Sequence, residues 1–369
     1  MEIKRLIDCC EFISDGDHLP PPKSEEGIPF VTISNITGQN KLSFEDTMYV
    51  PESYYNGLSE NKKARKGDIL YSVVGSFGKP VYIDFDKKMV FQRHIAILRP
   101  KSNVNARFIY YTMLNPHFYK LVDKLAIGCS QRTVTLDTLR NIEINLPDKD
   151  VQNKTVEVLS LIDKKIDENC KINDNLEQQV KTVFTFQFLQ NANSEWKHYS
   201  LASLSEMYQP KTISGKDLIA DGEYFVYGAN GIIGKYNQYN HSESEIAVAC
   251  RGASCGSIQM TIPFSWITGN AMVVRPLSDF PYKEYLYYYL LAKNPNYLCS
   301  GSAQPQLTRE NLTLYTVVIP SKTELESFER YAKHARAIII KNQQENIELS
   351  SLRDWLLPML MNSQATISD

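Results

Sequence analysis

The chain has 369 residues, and its 40 lysines and arginines against 42 acidic residues give a net charge of −2. With 43% hydrophobic and 22% charged residues, the composition is that of an ordinary water-soluble protein, and no apolar run reaches the roughly 18 residues of a membrane-spanning helix. Proteins that grip DNA alone are usually basic. Either nucleic acid is not the partner, or another subunit supplies phosphate contacts.

The start of the chain and its cysteines indicate a cytoplasmic protein. Asp8 and Glu11 interrupt the apolar N-terminal stretch, which argues against a secretory signal peptide. The seven cysteines are odd in number and include no Cys-x-x-Cys motif. This pattern is typical of reduced thiols rather than of a disulfide framework.

Residues 1–147 are predicted to form a first β-rich domain. A polar, proline-rich loop at residues 14–27 precedes a strand at 28–36, and further strands are predicted over 68–100. Between them, Lys62 and Lys63 belong to a basic cluster just before Gly67. A helix from Arg107 is expected to end at residues 115–116, where an asparagine precedes a proline.

A long helix is predicted over residues 148–192. Its apolar residues alternate at three- and four-residue spacing, which is the pattern of a coiled-coil seam rather than of an ordinary surface helix. Two asparagines occupy seam positions, a device that sets the register of paired helices. The predicted seam positions are Leu159, Ile162, Ile166, Asn169, Asn173 and Leu176.

The second half of the chain repeats this plan. A polar linker at residues 191–194 leads into a second domain over 193–320. A second long helix is predicted over 321–363, and Pro358 is expected to interrupt it near its end. Both seam asparagines recur 173 positions further on, so two related helices are predicted. The second set of seam positions is Ile339, Asn342, Asn346 and Leu349.

The repeat extends into the β-rich domains. Residues 128–147 (GCSQRTVTLDTLRNIEINLP) match residues 301–320 (GSAQPQLTRENLTLYTVVIP). Residues 68–83 match 245–260, with Gly75 corresponding to Gly252, and aromatic helices at 107–116 and 284–295 form a third matched pair. The predicted fold class is therefore α+β, with two pseudo-repeated β-rich domains, each followed by a long α-helix.

Three motifs in the sequence resemble active sites. Residues 252–256 (GASCG) match the G-x-S-x-G nucleophile elbow, but strand-like sequence follows, so a tight β-turn is predicted. Residues 115–118 (NPHF) and 294–297 (NPNY) lack the second proline of the methyltransferase motif N-P-P-[YF] and are predicted to mark helix ends. Asp68, Asp86 and Lys88 fit the loose spacing of a Mg²⁺-dependent nuclease.

Polar side chains on loops form the candidate binding site. Glutamine and asparagine pair with adenine, and arginine pairs with guanine, through two hydrogen bonds each. Such residues cluster beside glycines in both halves, which favours recognition of an extended ligand such as DNA. The DNA-binding candidates, with two lysines of the basic cluster, are Gln92, Arg93, Gln131, Arg132, Thr133, Asn230, Arg251, Gln304, Gln306, Lys62 and Lys63.

Over nearly its whole length the chain resembles the specificity (S) subunit of type I restriction–modification systems. The resemblance lies in KGDILYSVVGSFGKPVYI, VFQRHIAILRP, YFVYGANGIIGKYN, CRGASCGSI and the loop around Gln131. It implies two target recognition domains that each read one half of a bipartite DNA site, and two long helices packed as an antiparallel coiled-coil spacer. One departure is that Val74 precedes Gly75 where Arg251 precedes Gly252.

The resemblance also implies partners. Two methyltransferase subunits and the restriction subunits would assemble on this chain around double-stranded DNA, in a cytoplasmic host-defence complex. S-adenosylmethionine, ATP and Mg²⁺ would be bound by those partners, and this chain would hold no cofactor, no metal and no catalytic residue. The alternatives are a stand-alone Mg²⁺-dependent nuclease and a paired β-domain protein that binds something other than DNA.

Overall fold

A computed structural model of the protein describes residues 2–129, 131–301 and 304–361. The chain divides into two compact units. The first contains residues up to Asp167 together with those from Asn346 onward, and the second contains Glu168–Glu345. The first unit thus draws on both ends of the chain, whereas the second is continuous in sequence.

The first unit is rich in β-structure. Within the described residues its strands are β1 (Glu2–Arg5), β2 (Cys10–Asp15), β3 (Ile28–Val31), β4 (Ile36–Gly38), β5 (Lys41–Leu42), β6 (Tyr49–Val50), β7 (Ile69–Ser72), β8 (Pro80–Tyr82), β9 (Val90–Phe91), β10 (Ile95–Pro100) and β11 (Glu143–Leu146). Its helices are α1 (Glu52–Gly57), α2 (Ala106–Leu114), α3 (Pro116–Leu125), α4 (Leu136–Asn141) and the beginning of the first long helix, α5 (Lys149–Phe184).

The central sheet of the first unit has the strand order β2-β10-β7-β8 and is antiparallel. Strand β7 is buried along its whole length, because each face of the sheet is covered. Ile69 and Tyr71 belong to the core that contains α2, whereas Leu70 packs with Phe91 on the opposite face. Strand β1 pairs with β11, β4 pairs with β5, and β6-β3-β9 forms a second sheet in which β3 and β9 are parallel.

The strand predicted over residues 28–36 is shorter than expected. Strand β3 ends at Val31, and a 3₁₀ turn at Ile33–Asn35 separates it from β4. Thr32 and Asn35 form a reciprocal capping box, in which Asn35 Oδ1 accepts a 2.7 Å hydrogen bond from the Thr32 backbone N–H. Such local side-chain bonds compete with strand pairing, and the apolar pattern of the segment does not reveal them.

The second unit repeats the first. Within the described residues its strands are β12 (Lys197–Ser200), β13 (Ser205–Tyr208), β14 (Tyr224–Gly228), β15 (Gly231–Tyr236), β16 (Ile246–Ala249), β17 (Ile258–Met260), β18 (Trp266–Ile267), β19 (Ala271–Pro276) and β20 (Thr316–Ile319). Its helices are α6 (Leu201–Leu204), α7 (Lys283–Ala292), α8 (Arg309–Thr313) and most of the second long helix, α9 (Lys322–Met361).

The strand order of the second unit confirms the predicted duplication. Its central sheet, β13-β19-β16-β17, corresponds to β2-β10-β7-β8 of the first unit. The pair β12-β20 corresponds to β1-β11, and the parallel pairing of β14 with β18 corresponds to that of β3 with β9. The fold is therefore α+β with two related β-rich units, as the sequence repeat predicts.

In each unit, an arginine on one central strand pairs with a buried carboxylate that directly precedes the neighbouring strand. In the first, Arg99 on β10 donates to both oxygens of Asp68, from Nε at 3.0 Å and from Nη2 at 2.8 Å. In the second, Arg275 on β19 donates from Nε to Oε1 of Glu245 at 2.9 Å. Asp68 is 1% exposed and Glu245 is 3% exposed. The duplication therefore includes an arginine that compensates a buried carboxylate.

The asparagine–proline pairs follow the ends of the aromatic helices, as predicted. Helix α2 ends at Leu114, directly before Asn115. Asn115 then begins a further helix, α3, because its side chain accepts a hydrogen bond from the His117 backbone N–H at 2.9 Å. Pro116 occupies the first helical position, where its missing N–H needs no partner. The sequence pattern predicts the end of α2 but not this second helix.

In the first unit, α5 packs against the C-terminal part of α9. Leu159 of α5 is fully buried, and Leu357, Leu360 and Met361 of α9 enter the same core as α2. Pro358 does not interrupt α9, contrary to the prediction. Pro358 lies three residues before Met361, so its missing N–H and the steric conflict of its ring affect only the end of the helix. Residues 362–363 of the predicted helix lie outside the described residues.

In the second unit, the remaining parts of α5 and α9 run antiparallel, as predicted. As the residue number increases along α5, the number of the contacting residue on α9 decreases. The contacting pairs are Asn169 with Glu345 at 2.8 Å, Asn173 with Asn342 at 2.9 Å, and Glu177 with Arg336 at 2.8 Å. Helix α5 continues as a π-helical turn at Thr185–Gln190. Among the described residues, no helix combines the length and apolarity of a membrane span.

Two of the cysteines form a disulfide, so the prediction of reduced thiols is wrong for this pair. Cys255 and Cys299 are joined, with 6.4 Å between their Cα atoms. Their separation of 44 residues matches no spacing motif, and their proximity depends on how a turn after β16 packs against the segment after α7. The cysteine count alone does not reveal such a pairing.

Acid is expected to destabilise the second unit through His241. This side chain is buried, and its ring contacts the Tyr208 hydroxyl at 2.9 Å and Asn240 Oδ1 at 2.6 Å. Burial, and then the charge of Arg275, lowers its pKa from 6.5 to about 4. As the pH falls through this window, the unfolded chain binds a proton that the folded unit does not, so up to about 3 kcal/mol of stability is lost.

Denaturant unfolding at pH 7 and pH 4.5 measures this effect. The variant His241→Gln, which keeps a hydrogen-bonding amide but no titrating group, should lose less stability on acidification than the wild type. An identical loss in both proteins would show that another group is responsible.

Candidate nucleic-acid interface

In the first unit, the loop that carries Gln131 pairs with the turn that follows β7. The backbone N–H of Gly75 donates to the carbonyl of Arg132 at 2.9 Å, and Thr133 exchanges two hydrogen bonds with Ile127 at 2.8 and 2.9 Å. Gly75 has a φ of +67° and Gly128 has a φ of +101°, a region of backbone conformation that favours glycine. The glycines of the sequence motif therefore form the two bends of this loop pair.

The second unit contains the same loop pair. The backbone N–H of Gly252 donates to the carbonyl of Pro305 at 3.0 Å, and Gln306 exchanges two hydrogen bonds of 2.8 Å with Ser300. Gly252 has a φ of +78° and Gly301 has a φ of +95°. The repeat therefore describes one pattern of backbone hydrogen bonds that is built twice and carries different side chains.

The candidate glutamines of the loop pairs are exposed. Gln131 lies on the first loop, and Gln304 and Gln306 lie on the second. Arg251 is also exposed and forms an isolated β-bridge with Gln306. The structure thus brings Arg251 and Gln306 together in the second unit, where sequence reasoning placed them in separate motifs.

A pocket of about 320 Å³ beside the first loop collects several of the predicted residues. Arg93, Gln131 and Thr133 line it together with His94. Burial, and then the charge of Arg93, lowers the pKa of His94, so its ring is neutral at pH 7 and offers one donor and one acceptor. A neutral imidazole beside an arginine and an amide suits recognition of base edges through hydrogen bonds.

Two residues of this pocket were not predicted from the sequence. Asp15 and His18 line the same pocket, and His18 Nε2 lies 2.7 Å from Asp15 Oδ2. Asp15 is the last residue of β2 and His18 follows that strand, which lies next to β10 in the sheet. No local motif marks them, because the sheet pairing alone brings the end of β2 to the start of β10.

Arg132 positions its loop in this structure. Its guanidinium group donates to the Asp123 carboxylate and to the Asp123 backbone carbonyl. It also lies over the ring of Phe77, with 5.6 Å between the guanidinium carbon and the ring centroid. The side chain therefore ties the Gln131 loop to helix α3 and to the turn after β7, which leaves Gln131 as the exposed member of the motif.

The lysines of the basic cluster are paired with acids. Lys62 Nζ lies 3.0 Å from Asp17 Oδ1, and Lys63 Nζ lies 2.8 Å from Glu60 Oε1. The remaining candidate of this unit, Gln92, is half-buried, and its backbone N–H donates to the carbonyl of Val31 at 2.9 Å. These two lysines consequently present little net positive charge, whereas a row of unpaired basic residues would favour phosphate binding.

Asn230 lies apart from the loop pair, at the exposed tip of the β14–β15 hairpin. Gln259 on β17 donates from its side-chain amide to the carbonyl of Gly228 at 2.8 Å. This bond holds the hairpin against the central sheet just before its tip. Asn230 therefore belongs to a second exposed element of the same unit.

The structure gives the nuclease alternative no support. The Asp68 carboxylate accepts a hydrogen bond from Arg99, and Lys88 Nζ lies 2.5 Å from Glu52 Oε1. Both side chains therefore already have partners. Among residues 2–129, 131–301 and 304–361, no three histidine, cysteine or acidic side chains are grouped as metal ligands. Residues 252–256 form a turn followed by strand β17, so the G-x-S-x-G match is not a nucleophile elbow, which requires a helix at that point.

These features define a class of protein: a duplicated α+β protein with an exposed loop pair in each unit. The chain belongs to the family described as type I restriction modification DNA specificity domain, which matches residues 1–178 and 193–351. The two matched segments correspond to the two copies of the internal repeat.

Named relatives are specificity subunits. The type I restriction enzyme HindI specificity subunit of Haemophilus influenzae is 28% identical over 134 residues, which are 35% of this chain and 29% of that protein. The MjaVIII subunit of Methanocaldococcus jannaschii is 26% identical over 50% of this chain and 43% of its own length. The chain thus matches less than half the length of these two relatives. The MjaIX subunit of the same organism is 22% identical over 73% of this chain and 71% of its length.

A solved structure shares the fold. The crystal structure of a type I restriction–modification S subunit from M. genitalium superimposes with a TM-score of 0.60 at 17% sequence identity. The superposition covers 100% of this chain and 96% of the other. At this identity the likeness concerns the fold of the chain, not its individual loop residues.

Proposed function

We propose that this chain is the DNA-recognition subunit of a cytoplasmic type I restriction–modification complex, and that each half reads one part of a gapped, two-part DNA site. The observation that supports the proposal is the loop pair that is built twice on one backbone framework. Gln131 is exposed on one copy, and Gln304 and Gln306 are exposed on the other. Loops that differ in side chain on a constant framework suit two different half-sites.

Partner subunits supply the remaining functions in this proposal. Because Lys62 and Lys63 are paired with acids, most phosphate contacts come from two methyltransferase subunits that close around the duplex. Restriction subunits join them for cleavage. S-adenosylmethionine, ATP and Mg²⁺ act in those partners, and this chain contributes recognition and a scaffold formed by its long helices.

The same neutralised lysines are the observation that favours the second candidate, a paired β-domain protein with a partner other than DNA. Affinity purification of the full-length protein from its host, followed by a methylation assay, separates the two. Co-purification of a methyltransferase that modifies a gapped site supports the first candidate. A protein partner without any DNA modification supports the second.

The gap between the half-sites is expected to depend on the length of the long helices. We would insert seven residues after Asp167 in α5 and seven after Glu345 in α9, between the two compact units. A heptad preserves the seam and adds about 10 Å, or about three base-pair steps. The methylated site should then contain a longer gap, as determined by sequencing of methylated DNA.

A four-residue insertion at both places is the matched control for this experiment. It places the seam out of phase, so it should impair folding instead of changing the gap. An unchanged gap in a well-folded heptad variant would contradict the spacer role of the helices.

Exposed glutamines of the loop pairs are expected to determine the sequence that is read. Gln131→Ala should relax discrimination at one position of one half-site, and Gln306→Ala should do so in the other, each by about 1–3 kcal/mol. Methylation of a library of site variants measures both effects. Gln179→Ala, on the exposed face of α5, is the control and should change neither. Equal loss on all sequences would indicate phosphate contact instead of base contact.

A further inference from the structure

The disulfide of the second unit lies next to the loop that carries Gln304 and Gln306. Strand β16 is followed by a turn at residues 252–256, which packs directly against the segment after α7. A Cβ atom on Gly256 would lie 2.6 Å from Cα of Asn296, and Gly256 has a φ of +85°. Backbone therefore meets backbone at this point, and only glycine fits.

The bond joins the residues next to this contact. Cys255 precedes Gly256, and Cys299 immediately precedes Ser300. Ser300 exchanges two 2.8 Å backbone hydrogen bonds with Gln306. The disulfide thus links the turn to Cys299, which lies one residue before the backbone bridge between Ser300 and Gln306.

In the first unit, the corresponding turn packs against its neighbour without a covalent bond. A Cβ atom on Gly78 would lie 2.5 Å from the ring of Tyr119. Phe77, which precedes this glycine as Cys255 precedes Gly256, stacks on Tyr119 with 5.9 Å between ring centroids and 19° between ring planes. Arg132 then covers Phe77 and pairs with Asp123.

The two attachments respond differently to redox conditions. An aromatic stack and an ion pair are indifferent to thiols, whereas a disulfide is cleaved by them. Both Cys255 and Cys299 are half-buried at the edge of the second core, so the bond is not sealed inside it. A crosslink restricts the conformations of the segments that it joins, and a loop held in its bound conformation loses less entropy on binding.

We infer that Cys255 and Cys299 form a thiol-exchange site through which a small-molecule thiol weakens DNA reading by the second unit only. This inference rests on the proposed function, because DNA is the ligand of the loop. In the exchange, one thiolate attacks a sulfur of the bond, forms a mixed disulfide and releases the other cysteine. A second thiolate then displaces the remaining cysteine. The protein gains two electrons and two protons, and the small thiol leaves as its own disulfide.

The test uses the full-length protein, reduced glutathione as the thiol, and a duplex carrying the site identified by methylation. Intact mass should rise by two hydrogens on reduction, and alkylation should then map to Cys255 and Cys299. Affinity for the duplex should fall about tenfold. Discrimination against substitutions should decrease in one half-site and stay constant in the other. Hydrogen exchange at the Ser300 and Gln306 amides should accelerate with or without DNA.

Two variants complete the design. The double variant Cys255→Ser with Cys299→Ser should behave like the reduced wild type under both conditions. Cys129→Ser removes an exposed free thiol from the first unit and should keep the full response to glutathione.

The inference is overturned if Cys255 and Cys299 are already alkylated before reduction, or if reduction changes neither the loop exchange rates nor the half-site discrimination. A protein that binds no DNA in either state, but whose Ser300 and Gln306 amides still respond to glutathione, would instead contradict the proposed function. The two failures are thus distinguishable.

Discussion

Leu357→Ala is expected to destabilise the first unit by about 2–5 kcal/mol, although this residue lies near the C-terminus and most of the unit lies near the N-terminus. Leu357 is 1% exposed and packs in the core that contains α2. Truncation to alanine removes apolar contacts and leaves a cavity in that core. Since a whole domain is stable by only about 5–15 kcal/mol, much of the unit's stability depends on this distant segment.

Hydrogen exchange resolved by unit measures the effect. Amides of β2 and β10 should exchange faster in Leu357→Ala, while those of β16 and β19 should be unchanged. Leu352→Ala, on the same helix but 44% exposed, is the matched control and should have almost no effect. Equal acceleration in both units would contradict the assignment of the α9 end to the first core.

Asp68→Ala is expected to cost about 3–5 kcal/mol, because it leaves the buried guanidinium of Arg99 without its carboxylate. Arg99 is 8% exposed, so water cannot replace the lost partner. Asp68 also accepts a 2.9 Å hydrogen bond from the Arg65 backbone N–H, and the substitution leaves that donor unpaired as well. Denaturant unfolding of the variant and the wild type at pH 7 gives the difference.

A second pair of substitutions separates this structural role from catalysis. Asp86→Ala, at an exposed position between β8 and β9, should leave stability unchanged. The double variant Asp68→Leu with Arg99→Met should regain most of the loss, because an apolar pair removes the buried charge altogether. Metal-dependent DNA cleavage that is lost in both Asp68→Ala and Asp86→Ala would revive the nuclease alternative.

Periodicity predicts the architecture of this chain but not the partners of its side chains. The repeat and the alternating seam spacing give two β-rich units and two long helices, because both signals can be read from the sequence without knowledge of any contact. They do not define how far one helix is shifted along the other. Asn173 contacts Asn342, but Asn169 contacts Glu345, and this choice depends on the axial stagger of the pair.

In the candidate site, too, the sequence predicts the backbone elements but not all the side-chain partners. The glycines and glutamines of the loop pairs lie where their motifs place them, since a turn needs particular residues at particular steps. The role of Arg132 could not be predicted, because its partner Asp123 belongs to a helix, α3, whose restart after Asn115 was itself unforeseen. Asp15 and His18 join the pocket only through the neighbouring positions of β2 and β10 in the sheet.

The arrangement of the two units has a consequence for synthesis on the ribosome. Residues up to Asp167 emerge first, but the core that they form needs Leu357, Leu360 and Met361. At about 5–20 residues per second, roughly 10–40 s pass before those side chains are made. The continuous segment Glu168–Glu345 is complete earlier. We therefore expect the N-terminal part of the chain to wait, incompletely folded, until the C-terminal end of α9 has been made, whereas Glu168–Glu345 needs no later segment.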